Sequence, residues 1–160
     1  MSESHVSPAS SYVAMAERFA SVVPHVAAMG IEVVTASIAK ATLKLPWQAK
    51  LVGNHDEGFL HGGAITTLID SASGLAVFLA LEKPPSIATL DLRINYLRPP
   101  SQREAVIAEA ECYRLTRNIA FVRAFAHDGD LEKPIANSSS TFMLGSPGRP
   151  LARGREGDAS

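Results

Sequence analysis

One segment limits what this chain can become. From Ala64 to Leu81 the sequence carries no lysine, arginine or glutamate and a single aspartate, Asp70. Length and apolarity would suit a membrane span. The segment also holds Thr66, Thr67, Ser71, Ser73 and Gly74, and an aspartate at mid-span is costly in lipid. A buried helix is the consistent reading. Ile65, Leu68, Ile69, Ala72, Leu75, Ala76 and Leu79 recur at three- and four-residue spacing and form one stripe. Asp70 falls on another face with Gly63, Thr66, Thr67, Ser73 and Gly74. A helix so apolar must be wrapped, so the remaining chain has to supply a cover.

That cover has a period of two. Between Ile87 and Leu97, Leu90, Leu92, Ile94 and Tyr96 alternate with Thr89, Asp91, Arg93 and Asn95, as in a half-buried strand. Pro99-Pro100 ends it. Glu104–Thr116 and Asn118–Asp128 read as two strands joined at Thr116-Arg117. Asp128-Gly129-Asp130 is a hairpin turn leading to a last strand, Ile135–Leu144. Ahead of the central helix, Tyr12–Met29 is an amphipathic helix interrupted near Pro24. Ile31–Pro46 is a strand or short hairpin, and Trp47–Leu60 is a loop. The simplest packing is α+β, one antiparallel sheet wrapped around one long central helix. Residues 11–144 form a single domain, with 1–10 disordered and 145–160 a flexible tail.

Bulk properties narrow the function. With a net charge of −1 and 19% charged residues in 160, no basic field exists for nucleic acid or an anionic membrane. The first ten residues have no positive region followed by an apolar run, so no signal peptide is read and the cytoplasm is expected. The lone cysteine, Cys112, shares a strand face with Val106, Ala108 and Ala110, which predicts burial. His5, His25, His55 and His127 lack metal-ligand spacing, so no metal is expected. Ser138-Ser139-Ser140 has no nucleophile elbow and reads as strand.

The chemistry sits where the central helix opens. His61-Gly62-Gly63 leaves backbone N–H groups uncovered, so a polarised carbonyl can approach closely. Asp70 follows two turns later, surrounded by Thr, Ser and Gly. Aspartate costs a helix about 0.5 kcal/mol relative to alanine, but burying it unpaired would cost several. An oxyanion donor and a carboxylate are the minimum equipment for acyl transfer to water.

With Asn54 added, the pattern Asn54-x6-His-Gly-Gly-x6-Asp, followed by Thr89-Leu-Asp-Leu-Arg-Ile-Asn-Tyr-Leu-Arg-Pro-Pro100, resembles the hotdog-fold acyl-CoA thioesterases of the phenylacetate-pathway type. These lie within the 4-hydroxybenzoyl-CoA thioesterase superfamily. The resemblance runs from about Ala28 to Leu144. It implies that Asp70 is the general base or nucleophile, and that the Gly62 N–H binds the thioester oxygen. Gly63 would permit close packing, and His61 would hold the loop through a hydrogen bond. Asn54 would orient water or substrate from the neighbouring subunit, with Thr89 beside the reacting centre. It further implies coenzyme A contacts from the strand end Tyr96–Ser101 and the turn Arg114–Ile119. The residues concerned are Tyr96, Arg98, Arg114, Thr116, Arg117 and Asn118.

The implied reaction is hydrolysis of an aromatic or medium-chain acyl-CoA without metal or redox cofactor. The implied assembly is a homodimer paired again into a tetramer, with Asn54 and Asp70 meeting across subunits. The acyl pocket is expected near Leu60, Leu75, Leu79 and the amino-terminal helix. The Asn54–His61 spacing is one residue longer than in some members, so His55 competes for the asparagine role. The Arg114 turn lacks the glycine expected near Thr116. Two other readings stay open. Asp56-x4-His61 has the spacing of the pair in hotdog enoyl-CoA hydratases, although Gly58 and Phe59 replace that motif's asparagine and proline. A non-catalytic acyl-CoA-binding module would keep the arginines and need no Asp70.

Overall fold

The uncharged stretch is a helix, α3, spanning Gly62–Leu79. In this computed structural model, which describes residues 8–83 and 86–145, the apolar stripe is the inner face of that helix. Ile65, Leu68, Ile69, Ala72, Leu75, Ala76 and Leu79 are each at most 3% exposed. The helix is long and apolar enough to cross a bilayer, yet 61% of it is buried inside the protein. Ser73 and Gly74, expected on the uncovered face with Asp70, are buried as well. They lie on the flank facing the sheet, where Gly74 packs beside Phe142 and Ile87.

The other elements are α1 (Pro8–Val22), α2 (Pro24–Met29), β1 (Glu32–Ser37), β2 (Lys40–Leu45), β3 (Ile87–Tyr96), β4 (Val106–Leu115), β5 (Ile119–His127) and β6 (Ala136–Leu144). Helix α1 begins at Pro8, inside the segment 1–10 expected to be disordered. Residues 1–7 and 146–160 lie outside the described residues. The strands form one six-stranded antiparallel sheet in the order β1-β2-β4-β5-β6-β3. Period-two burial brings Leu43 and Leu45, Val106 and Ala108, and Ala120, Val122, Ala124 and Ala126 onto the concave side, all at most 1% exposed. Alanines on β4 and β5 let α3 lie close to the sheet centre.

Outside α3, the amino-terminal helices complete the cover. Pro24 opens α2, which ends at Gly30 with φ at +67°. That left-handed conformation suits glycine. The rings of Phe19 and Phe78 sit 5.9 Å apart, fastening α1 to the end of α3.

Strand β3 corrects a detail of the periodicity. Its pairing with β6 shifts between Thr89 and Asp91, a bulge that leaves Leu90 unpaired and 51% exposed. A bulge reverses the alternation of faces. Thr89 and Ile87 therefore point towards α3 on one side of it, and Leu92, Ile94 and Tyr96 on the other. Uniform alternation had put Thr89 outward and Leu90 inward. The extra residue is what aims Thr89 at the helix.

Candidate active site

His61 caps α3. Its backbone is extended and its Nδ1 accepts the Gly63 N–H at 2.9 Å. A Cβ on residue 63 would stand 3.0 Å from that nitrogen, so glycine keeps the imidazole seated. Tyr96, at the end of β3, donates its hydroxyl to the Gly62 carbonyl at 2.7 Å, and Thr66 donates to the same oxygen at 3.0 Å. The Gly62 peptide is thus fixed from two directions. Its own N–H has no hydrogen-bond acceptor among the described residues. It stands at the positive end of a helix with no acidic residue in its first turn. This is the donor the sequence pointed to, held rigidly and left free.

Clefts open on both sides of this helix start. One, of about 330 Å³, is lined by His25, Met29, Lys50, His61, Gly63 and Thr67. The other, of about 400 Å³, is lined by Phe59, Gly62, Ile65, Tyr96, Leu97 and Pro99, with Arg98 beside them. The second contains the strand end expected to contact coenzyme A. The sequence offers His25 only as a metal-ligand candidate without partners and gives no signal for Lys50, because both lie before the motif at no informative spacing. His25 Nε2 reaches Thr67 Oγ1 at 3.5 Å.

Asp70 is half-buried on the flank of α3, where Oδ1 accepts the Thr89 hydroxyl at 3.0 Å. Thr89 and Asp70 are brought together as expected. Asn54 sits on the loop between Ala49–Leu51 and α3. The loop is anchored by the Val52–Leu60 bridge and by the Trp47 indole N–H donating to the Gly58 carbonyl at 2.8 Å. The Asn54 side chain accepts the Asp56 N–H at 3.0 Å. Within the protomer it makes no hydrogen bond to Asp70. The rival pair is not formed either. His61 Nδ1 is engaged by its own helix, and neither ring nitrogen contacts Asp56.

Arg98 is a correction. Its guanidinium donates to both oxygens of Asp128, to the Lys133 carbonyl and to the Pro99 carbonyl. Those bonds saturate the group that was expected to be available for a coenzyme A phosphate. Thr116 is engaged too, its hydroxyl exchanging hydrogen bonds with the Ile119 backbone to close the β4–β5 turn. Tyr96 holds Gly62, as described above. Asn118 is exposed, and its carbonyl accepts the Leu144 N–H. Arg114 and Arg117 are exposed, with no ion pair among the described residues. Leu75 and Leu79 are core, at most 3% exposed, whereas Leu60, also buried, lines the cleft beside Gly62 and Tyr96. Near the amino-terminal helix the open apolar space is instead a groove of about 420 Å³ between Met15, Phe19, Val22, Val23 and Phe78. Cys112 is buried, and desolvation pushes its thiol pKa up, which removes it as a nucleophile. Among the described residues no three His, Cys, Asp or Glu side chains are grouped to hold a metal ion.

The sequence that builds this helix and sheet matches a known family. Residues 57–135 fit the family model described as the thioesterase superfamily. The medium/long-chain acyl-CoA thioesterase YigI of Salmonella typhimurium is 31% identical over 142 residues, which cover 81% of this chain and 90% of that protein. The chain belongs to the thioesterase superfamily. A Halobacterium salinarum protein named as an esterase is 45% identical over 91 residues, and there the match spans 58% of the relative's length. Among solved structures of similar shape, a Pseudomonas aeruginosa protein is 39% identical with a TM-score of 0.76, covering 82% of this chain and 98% of that one. The PaaI protein of the Escherichia coli phenylacetic acid degradation operon has a TM-score of 0.75 at 16% identity, covering 88% and 97%. That likeness concerns the fold, which is the hotdog arrangement of sheet around helix.

Proposed function

We propose that this thioester hydrolase acts on acyl-CoA as a cytoplasmic homodimer whose active sites are shared between subunits. The Asp70–Thr89 pair carries the reading, taken with the free Gly62 N–H at the other end of the same helix flank. Eight residues of helix rise about 12 Å. One thioester carbonyl cannot use both groups of one protomer, because each must come within about 3 Å of the reacting atoms. Two chains packed with their α3 helices side by side can bring Gly62 of one to Asp70 of the other, with Asn54 beside them. The free edge of β3, carrying the exposed Leu90 and Tyr96, supports sheets joining edge to edge. Pairing of two such dimers into a tetramer is part of the same reading.

In the proposed reaction the Gly62 N–H stabilises the oxyanion and Asp70 acts on the thioester as base or nucleophile. One oxyanion donor contributes about 3–4 kcal/mol to the barrier. The acyl tail runs from Asp70 towards the groove at Phe78, again about 12 Å along the helix axis. That length and the apolar lining favour medium or long chains, the class named for the YigI relative. Thiol release measured over straight-chain acyl-CoAs, with an aromatic acyl-CoA alongside, tests this directly. Turnover should rise with chain length, and a preference for the aromatic substrate would reverse the assignment.

Two further outcomes follow from the shared site. Mixing inactive Asn54→Ala protein with inactive Asp70→Asn protein after reversible dissociation should restore part of the activity. A monomer by sedimentation with full turnover would refute the shared site. Replacing Arg114 and Arg117 with alanine should raise KM for acyl-CoA several-fold while sparing a short thioester without the nucleotide. Equal effects on both would reduce these arginines to ordinary solvated charge.

A further inference from the structure

We infer that the free edge of β3 pairs with the same edge of a second copy in one fixed register, centred on Leu92, in which Asp91 and Arg93 of each chain form ion pairs with Arg93 and Asp91 of the other. This rests on the shared dimer proposed above and names the residues that align it. β3 lies at the end of the sheet, with one side unpaired. Its inner face is incompletely covered there. Leu92 and Ile94 are only half-buried and Tyr96 is exposed, whereas the inward Ala136, Ser138, Ser140 and Phe142 of adjacent β6 are buried.

The outer face of the same edge carries unmatched charge. Asp91 and Arg93 are exposed, and neither forms an ion pair with the other or with any described residue. Across on β6 they meet Thr141 and Ser139, which are uncharged. One strand further in, opposite Ser139, Arg123 is committed to Glu111. At the other end of the sheet, the one charged residue of β1, Glu32, is paired with Lys44. A second copy can supply both missing partners at once, because a two-fold interface sets each patch against itself.

The charges select the register. Residues directly opposite in an antiparallel pair share a face of the sheet. The two-fold axis therefore passes through a residue, since an axis between residues would set inward side chains against outward ones. An axis at Arg93 places two guanidiniums face to face, and an axis at Asp91 two carboxylates. Like charges directly opposite are destabilising. An axis at Ile94 sets Arg93 against Asn95, which is already bonded to Asn137. Only the axis at Leu92 sets each Asp91 against the partner's Arg93. With the bulged Leu90 counted out, as it is against β6, that register sets Ile94 against the partner's Thr89 and Tyr96 against the partner's Ile87. Tyr96 and the partner's Thr89 are then diagonal neighbours, about 7–8 Å apart. Tyr96 holds the Gly62 carbonyl and Thr89 holds Asp70, so the register that matches the charges also draws Gly62 of one chain towards Asp70 of the other. A single exposed ion pair adds little to stability. Here it discriminates between alignments, because moving the axis by one residue replaces attraction with repulsion.

Charge reversal tests the register. Arg93→Asp makes the edge wholly negative and Asp91→Arg makes it wholly positive. Each variant alone should raise the dimer dissociation constant at least about tenfold by sedimentation, since two attractive pairs become repulsive, and high salt should narrow the difference. The double variant, Asp91→Arg with Arg93→Asp, should dimerise like the wild type. Mixing the two single variants should give heterodimer in excess of a statistical mixture by native mass spectrometry, with acyl-CoA hydrolysis restored. Wild-type dimerisation by Asp91→Arg, or a statistical mixture on mixing, would overturn the register and leave the shared dimer standing. A monomeric wild type would overturn both. Selective heterodimers without acyl-CoA turnover, in a wild type equally inactive, would refute the acyl-CoA reading and leave the register intact.

Discussion

Asp70→Asn is expected to lower kcat for acyl-CoA hydrolysis by about 10²–10⁴-fold, the range for a positioned base, without lowering Tm. The substitution separates charge from shape. Asparagine keeps a carbonyl oxygen where Asp70 Oδ1 now accepts the Thr89 hydroxyl at 3.0 Å, so the tie between α3 and β3 can survive. The amide cannot take a proton or attack a carbonyl. KM should change little, because the coenzyme A contacts proposed at Arg114 and Arg117 lie on a different turn. Thr89→Val gives the complementary result. It keeps the size of the side chain and the carboxylate and removes the hydroxyl that aims it, so kcat should fall less steeply. Turnover that survives Asp70→Asn, measured as thiol release at equal protein, would remove Asp70 from the mechanism.

The motif around α3 could be read from sequence because its signals are local. The apolar stripe repeats at helical spacing, and the cap, the two glycines and Asp70 all lie within three turns. The bulge at Leu90 could not be read this way. It depends on pairing with β6, a strand about fifty residues further on, and strict alternation is the better assumption without that pairing. A separation of thirty residues likewise hid Asp128 from the reading of Arg98. An arginine beside two prolines in an exposed-looking segment is open to any anion, and its carboxylate partner comes from a separate hairpin. Ser73 and Gly74 were misplaced for another reason. Small residues suit both a subunit contact and a close helix–sheet approach, and helical spacing alone cannot distinguish a flank from a face.

Asp128→Ala is expected to destabilise the protein by about 2–3 kcal/mol at neutral pH. That is below the usual cost of breaking a fully buried pair, because Arg98 keeps partial contact with solvent. The Asp128 side chain is 6% exposed, against 33% for Arg98. Besides Arg98, its carboxylate accepts both the backbone N–H and the hydroxyl of Ser101 at 2.7 Å. The Arg98 guanidinium, with Ser101 assisting, holds this carboxyl well below the usual carboxylate range despite the opposing effect of burial. A depressed folded-state pKa adds stability that is fully present above the unfolded value, about 3.9, and is lost as pH falls towards the folded value. The gap between wild type and Asp128→Ala should therefore be widest at pH 7 and narrow progressively below pH 4, as urea denaturation at several pH values can measure. A gap of constant size would show that volume, not charge, holds this corner. The pair also explains how the site gains its rigidity. Arg98 and Asp128 clamp the segment after Tyr96 to the β5–β6 hairpin, and Tyr96 in turn fixes the Gly62 carbonyl at the start of α3. Loosening the clamp should therefore lower kcat in proportion to the lost order of the Gly62 peptide, in a protein whose Asp70 is untouched.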